Sequence, residues 1–485
     1  MNYREETLDP EDWDEFTNLG HQMLEDMVQY LKTVRDQIIT LPDEKIMADI
    51  YAPLTDEGEG EEEVYQVFKQ SILPHLVANT KPTFWGYAVG TGSPYGMLID
   101  MLASGSNCPD EDWVASTYCH RQVINWIKEL LDYPKDAGGV LVYGGTEANF
   151  TGLAVARNKK AEVDMKAKGM QSVPRKMTLY VSEEGHHCLE RSVELIGLGN
   201  EALRWIPTDD MYRIRVDKLS KAIKKDREDG CHPFCVIGCA GTINSGAFDD
   251  FNSLAKLASK EDMWFHVDAA FGGWVKLSST HRHLADGMEK ADSLAIDLHK
   301  WMYMPYGIGC TLIRDRVAHF STFVYGHEAE YLKGSFDAFK DMLDWPDMLS
   351  LPLSRYFVSL KAYMLLRAYG KGKYCRLIQQ NLDQIAYLEK LVKAEECLEI
   401  TAPVTSNVVC FRYNPGGFDE SQLMDLNKSI LGELWKVHFG VVSDTTVKGR
   451  YTLRACCVNH RTRYEDFDWL VNEVKKLGYE STNNR

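Results

Sequence analysis

The sequence lacks what a membrane or a nucleic acid would require. It holds no run of eighteen apolar residues, so no membrane-spanning helix is expected. Lys and Arg number 54 against 71 Asp and Glu, a net charge of −17. A phosphate-backbone binder needs clustered basic residues, and this balance argues against a nucleic-acid partner. The opening residues, Met1-Asn2-Tyr3-Arg4-Glu5-Glu6, have neither the basic nor the apolar block of a signal peptide. A cytoplasmic protein with free thiols is therefore expected. Cysteine is modest at 12 residues. The spacing of Cys231, Cys235 and Cys239 hints at a metal, but Pro233–Gly238 reads as a buried strand, so small core residues are the better reading and no metal is expected. Gly (36) and Pro (16) are too few for a collagenous or low-complexity chain. No internal repeat is visible.

What is present suits a large folded core. Apolar residues make up 45% of 485, and that length sets a prior of about three domains, or one large domain with appendages. Residues 1–80 read as a helical segment, with Phe16, Leu19, Met23, Met27 and Tyr30 on one face and Asp9-Pro10 as the start. The acidic run 56–63 reads as a solvated loop. From 81 to 383, short apolar runs alternate with helical patterns: 139–143, 178–181, 235–237, 263–267, 293–296 and 309–313. That alternation predicts an α/β domain on a mostly parallel sheet, closed by a long helix near 355–381. Residues 384–485 read as a small α+β domain with strands at 407–411 and 451–454 and a final amphipathic helix.

Ligands of such folds collect outside the carboxyl ends of the strands, and three strand ends carry candidate chemistry. Gly144-Gly145-Thr146 leads from one strand into a helix, which makes either a cradle for a phosphate or carboxylate or an ordinary strand-to-helix turn. Asp268 closes an apolar strand and needs a partner, either a salt bridge or a cationic ligand nitrogen; Ala269 and Ala270 after it leave room for a flat ring. Lys300, in Asp297-Leu298-His299-Lys300-Trp301, is either a solvated turn residue or an amine that loses its proton in a partly apolar pocket and acts as nucleophile. His299 beside it is a phosphate contact or an ordinary loop histidine. Together, a phosphate cradle, an acid and a lysine at neighbouring strand ends are the parts needed to hold pyridoxal phosphate.

With these motifs in this order, the chain resembles the group II pyridoxal-phosphate decarboxylases of fold-type I, most nearly their aromatic-amino-acid branch. The resemblance runs from about Pro10 to Leu477 and rests on GGTEAN, HVDAA and DLHKW. It implies that Lys300 binds the cofactor, that Asp268 faces the pyridine nitrogen and that Ala270 lies under the ring. It places Gly145, Thr146 and His299 at the phosphate, His186 stacked on the ring, Thr242 beside the cofactor, and Tyr331 on a mobile loop as the acid that protonates the substrate carbon. It further implies a homodimer with the active site at the interface and the N-terminal helices clasping the partner.

Two departures bear on the site. Gly241-Thr242-Ile243 replaces the family's Gly-Thr-Thr, and Asp297 replaces the Asn before the His-Lys pair, where it is expected near the cofactor or Lys300. Trp85, Tyr87, Gly90 and Thr91 are expected on the substrate side, where the two aromatics suit an aromatic ring. Asp110, Glu111 and Asp112, in the segment expected to reach the partner's pocket, either favour a polar or cationic substrate or face solvent. The expected reaction is decarboxylation of an L-amino acid, most simply an aromatic one, to amine and CO₂. The alternatives are a polar or cationic substrate, an oxidative aldehyde synthase, a transaminase, or a catalytically silent cofactor-binding protein.

Overall fold

The computed structural model describes residues 7–38, 40–110, 115–324, 345–436 and 440–483. Its centre is a seven-stranded sheet: β1 (Gly138–Val142), β2 (Met177–Ser182), β3 (Leu203–Ile206), β4 (His232–Cys239), β5 (Trp264–Asp268), β6 (Ser293–Asp297) and β7 (Gly309–Ile313). The strand order is β1-β7-β6-β5-β4-β2-β3. Neighbours from β6 through β3 run parallel, while β7 is antiparallel to both β1 and β6. Helices cover the sheet, so β2 and β5 are buried along their whole length. That double burial is why these strands read as unbroken apolar runs. Cys235 and Cys239 lie buried in β4 as core side chains.

The strand register brings the candidate residues together. Cys239 on β4 pairs with Asp268 on β5, and Asp268 pairs with Ala295 on β6. Asp268 and Asp297 are the last residues of their strands, so both acids emerge at the same edge.

A second, antiparallel sheet has the order β10-β11-β9-β8, formed by β8 (Leu398–Ile400), β9 (Val408–Tyr413), β10 (Ser443–Val447) and β11 (Arg450–Cys456). The helix Val358–Lys393 joins the two bodies and runs twelve residues past the expected end, with a break at Gly370, whose φ is 67°. The chain near residue 84 also joins the smaller body. Phe84 bridges Val441, and the Trp85 N–H donates to the Val441 carbonyl at 2.7 Å.

The first helix starts at Trp13, three residues beyond Pro10, because Asp12 caps it by accepting from the Asp14 and Glu15 N–H groups. None of its residues is buried; Trp13, Phe16, Met23 and Leu24 are exposed. Of the apolar stripe, Leu19, Met27 and Tyr30 are half-buried, while Phe16 and Met23 stay exposed.

Candidate active site

One cavity of about 910 Å³ opens at the carboxyl edge of the large sheet and is closed on its far side by β10 and β11. Its wall includes Gly144, Gly145, Thr146, His186, Thr242, Asp268, Ala270, Asp297, His299 and Lys300. Four strand ends and one helix N-terminus therefore meet at one place.

The glycine turn is dictated by crowding. A Cβ on Gly145 would stand 2.8 Å from Asp297 Oδ2 and 2.9 Å from the Ala270 methyl. One on Gly144 would stand 3.0 Å from the His299 ring. Any larger residue would fill the space that the turn leaves open, at the positive end of a sixteen-residue helix.

Asp268 accepts from the Ala270 N–H at 3.2 Å, which fixes its carboxylate toward the cavity floor. Beneath it, His266 is held neutral in a buried chain: Nε2 donates to Asn149 Oδ1 at 2.8 Å, and Nδ1 accepts from Ser293 Oγ at 2.7 Å. Burial pushes the His266 imidazole down to about 4, against the opposing pull of Asp268. Thr242 sits in a tight turn, with its hydroxyl 3.0 Å from Ser245 Oγ and accepting from the Ala247 N–H at 3.0 Å.

Lys300 Nζ lies 2.9 Å from Asp297 Oδ2, and Asp297 is 1% exposed. The sequence left this amine as either a solvated turn residue or one that loses its proton in a partly apolar pocket, and the electrostatic balance favours the proton. Burial does pull the amine down, yet the Asp297 and Asp268 carboxylates outweigh it and hold the lysine above its ordinary range. His299 donates from Nδ1 to the Ile308 carbonyl at 2.9 Å, and burial lowers its pKa. His186 faces the cavity with Nδ1 accepting from the Cys188 N–H at 3.0 Å, which leaves Nε2 to carry the ring proton. Burial lowers this imidazole as well, with Asp268 opposing.

The substrate-side expectation needs correction. Tyr87 lines the cavity with Ala88 and Val89, but Trp85, Gly90 and Thr91 do not. Trp85 is fully buried in the core of the smaller body, stacked on Phe467 at 4.9 Å, with its indole N–H donating to Thr462. Gly90 is pressed against the chain at the lysine, where a Cβ would fall 1.7 Å from the His299 carbonyl. Thr91 is buried, its hydroxyl donating to the Gly92 carbonyl. Asp110 is fully buried and bonded to His120 at 3.0 Å and Ser359 at 3.1 Å, which gives it a structural role. Glu111 and Tyr331 lie outside the described residues.

Three wall residues were not anticipated. Asn244 donates to Glu184 Oε2 at 3.1 Å and accepts from Thr445 Oγ1 at 2.6 Å. Arg454 donates from Nε to the Asn244 carbonyl at 3.1 Å and from Nη1 to the Tyr87 carbonyl at 2.8 Å. An Arg at an inward position of an otherwise apolar strand, Tyr451-Thr452-Leu453-Arg454-Ala455, was the available signal. Apolar wall comes from Phe150, Leu195, Ile243 and Leu351.

These residues fit pyridoxal phosphate: a glycine turn at a helix N-terminus, the Asp268 carboxylate, an alanine, a histidine and a lysine amine all line one cavity. Among the described residues, no group of three or more His, Cys, Asp or Glu could hold a metal ion, and no helix is long and apolar enough to cross a membrane.

Comparison with known proteins agrees with the fit. Residues 43–414 match the pyridoxal-dependent decarboxylase conserved domain. The chain is 28% identical over 473 residues to an aromatic-L-amino-acid decarboxylase of Bacillus atrophaeus, with 96% of each chain covered. It is 29% identical over 463 residues to a phenylacetaldehyde synthase of Arabidopsis thaliana, with 92% of each covered. Its fold matches that of the crystal structure of Oryza sativa TDC with PLP and tryptamine at a TM-score of 0.89, covering 98% and 99% of the two chains at 23% identity.

Proposed function

The chain belongs to the pyridoxal-dependent decarboxylase family, and from that membership we propose that it releases CO₂ from an aromatic L-amino acid and yields the amine. The observation that carries this reading is the meeting of Lys300, Asp268 and the Gly144–Thr146 turn in one cavity whose wall also holds Tyr87, Phe150, Leu195 and Ile243.

In this reading Lys300 holds the aldehyde end of the cofactor, and Gly145, Thr146 and His299 hold its phosphate. Asp268 would keep the ring nitrogen protonated, and Ala270, His186 and Thr242 would line the ring. Bound pyridoxal phosphate supplies the electron sink for the pair left on Cα as CO₂ departs. Asp268 contributes a fixed negative charge opposite the site where positive charge must persist, an electrostatic effect that needs no reorganisation. Tyr331 delivers a proton to Cα, directly or through His186 Nε2, the nitrogen left free by the Cys188 contact.

Tyr87, Phe150, Leu195 and Ile243 support an aromatic side chain. The buried pairing of Asp110 with His120 removes one of the three carboxylates that favoured a cationic substrate. The exposed Phe16 and Met23 on the first helix support a homodimer, because about 25 cal/mol per Å² favours covering them. The second reading, an aldehyde synthase, draws on the Arabidopsis relative; the presence of Tyr331 favours the amine.

The test is a panel of L-amino acids offered to purified protein, with amine, aldehyde, peroxide and CO₂ all quantified. Amine and CO₂ from tyrosine, tryptophan, phenylalanine or DOPA, without peroxide, are expected. Turnover confined to acidic or basic amino acids would overturn the aromatic assignment, and aldehyde with peroxide would favour the synthase.

A further inference from the structure

The Asp297–Lys300 pair is fixed with unusual firmness. Asp297 ends β6, its N–H donating to the Ala270 carbonyl at 3.2 Å and its carbonyl accepting from Trp274 Nε1 at 2.7 Å. Its carboxylate is wedged between glycines of two neighbouring segments. A Cβ on Gly309 would come within 2.7 Å of Oδ1, and one on Gly145 within 2.8 Å of Oδ2. Oδ2 meets the lysine at 2.9 Å, while Oδ1 is buried and has no hydrogen-bond partner among the described residues. A buried carboxylate with one oxygen unsatisfied is costly, so its attraction to the ammonium is its main compensation.

We propose that Asp297 is a positioning residue for Lys300: it holds the amine as an ammonium in the cofactor-free protein and so sets the pH at which pyridoxal phosphate is captured covalently. The inference rests on the assignment of Lys300 as the cofactor lysine.

Capture needs a lone pair. The Lys300 ammonium gives one proton to solvent, and the freed pair forms the bond from Nζ to the aldehyde carbon. The two remaining protons leave with the carbonyl oxygen as water. The first of these steps is the one that Asp297 opposes. The other groups near the amine are Asp268 from β5, Cys188 and His186 from the β2–helix connection, and His299, Tyr306 and Cys456. Of these, Asp268 also favours the ammonium, while burial disfavours it. Replacing Asp297 with a neutral amide removes the largest influence that opposes burial and leaves Asp268 and the weaker Cys188, so the amine is freed at lower pH.

The experiment uses the full-length chain stripped of cofactor with hydroxylamine. Pyridoxal phosphate is added between pH 6 and 9.5, the mixture is quenched with borohydride at timed intervals, and the reduced label on Lys300 is quantified by peptide mass mapping. Asp297→Asn should speed capture at least about tenfold across this range, the equivalent of about one pH unit in the lysine. Binding of pyridoxamine phosphate, which has no aldehyde, is measured in parallel and should change less than threefold. Label on Lys300 at the same rate in both proteins overturns the inference and leaves the lysine assignment standing. Label absent from Lys300 in both overturns that assignment itself. Loss of pyridoxamine phosphate binding in the variant would place Asp297 in the phosphate site and likewise overturn the inference.

Discussion

Arg454 donates to the Tyr87 carbonyl at 2.8 Å, so one guanidinium on β11 fixes the backbone that carries the aromatic wall of the cavity. The same group donates to the Asn244 carbonyl at 3.1 Å. Arg454 is 4% exposed. Arg454→Met would leave both carbonyls without this donor, at about 1–3 kcal/mol for each one buried. We expect a stability loss of about 2 kcal/mol or more in urea denaturation, and a rise in KM of about tenfold that exceeds the fall in kcat. Unchanged KM would mean that Tyr87 does not depend on this contact.

Asp268 supplies the fixed charge in the mechanism, and its loss is expected to be felt in kcat. Asp268→Ala should reduce kcat by about 10²–10³, the scale seen when one preorganised electrostatic group is removed. The backbone around it is held by the sheet register and by the His266 chain, so circular dichroism should be unchanged. A variant that kept more than a tenth of wild-type kcat would remove Asp268 from the proposed role.

The strand ends were legible because strands buried on both faces leave apolar runs that stop at a polar residue. β3 was not, since Leu203-Arg204-Trp205-Ile206 is an edge strand with an interior partly open to solvent. β10, Ser443-Asp444-Thr445-Thr446-Val447, is polar for the same reason. Trp85 was misplaced because it sits two residues from Tyr87, and an extended strand would put both on one face. Tyr87 instead has a φ of 56°, which turns the chain and sends the two aromatics to different places. Glu184 and Asn244 come from segments distant from each other and from Arg454 and meet it only in the folded chain, so no local pattern announced those two.

Two fully buried histidines predict the acid limit of the fold. Burial pushes His266 and His319 down to about 4. Unfolding restores an ordinary value near 6.5, so the unfolded chain binds more protons between those limits. The stability that each contributes is present above pH 6.5 and lost as pH falls toward 4, about 3 kcal/mol for each residue. Asp249 opposes them: burial raises it to about 6, so the folded chain binds the extra proton between about pH 4 and 6. These three groups together give a fall of roughly 3 kcal/mol from pH 6.5 to 4, and His460, which burial also pushes down to about 4, deepens it. Urea midpoints measured at half-unit steps would show it, and a flat or rising profile would contradict it.

The first helix offers the last prediction. Phe16 and Met23 are each 44% exposed within the apolar stripe. Phe16→Glu with Met23→Glu puts two charges on that face without touching the helix cap at Asp12. If the face packs against a second copy of the chain, each buried charge would cost several kcal/mol, enough to dissociate a micromolar dimer. Light scattering should then report about half the wild-type mass. Activity should fall with it, because the cavity stands open on the side that the partner is proposed to close. A variant of wild-type mass and full activity would separate the helix from assembly, and dimer contacts would have to be sought on another face.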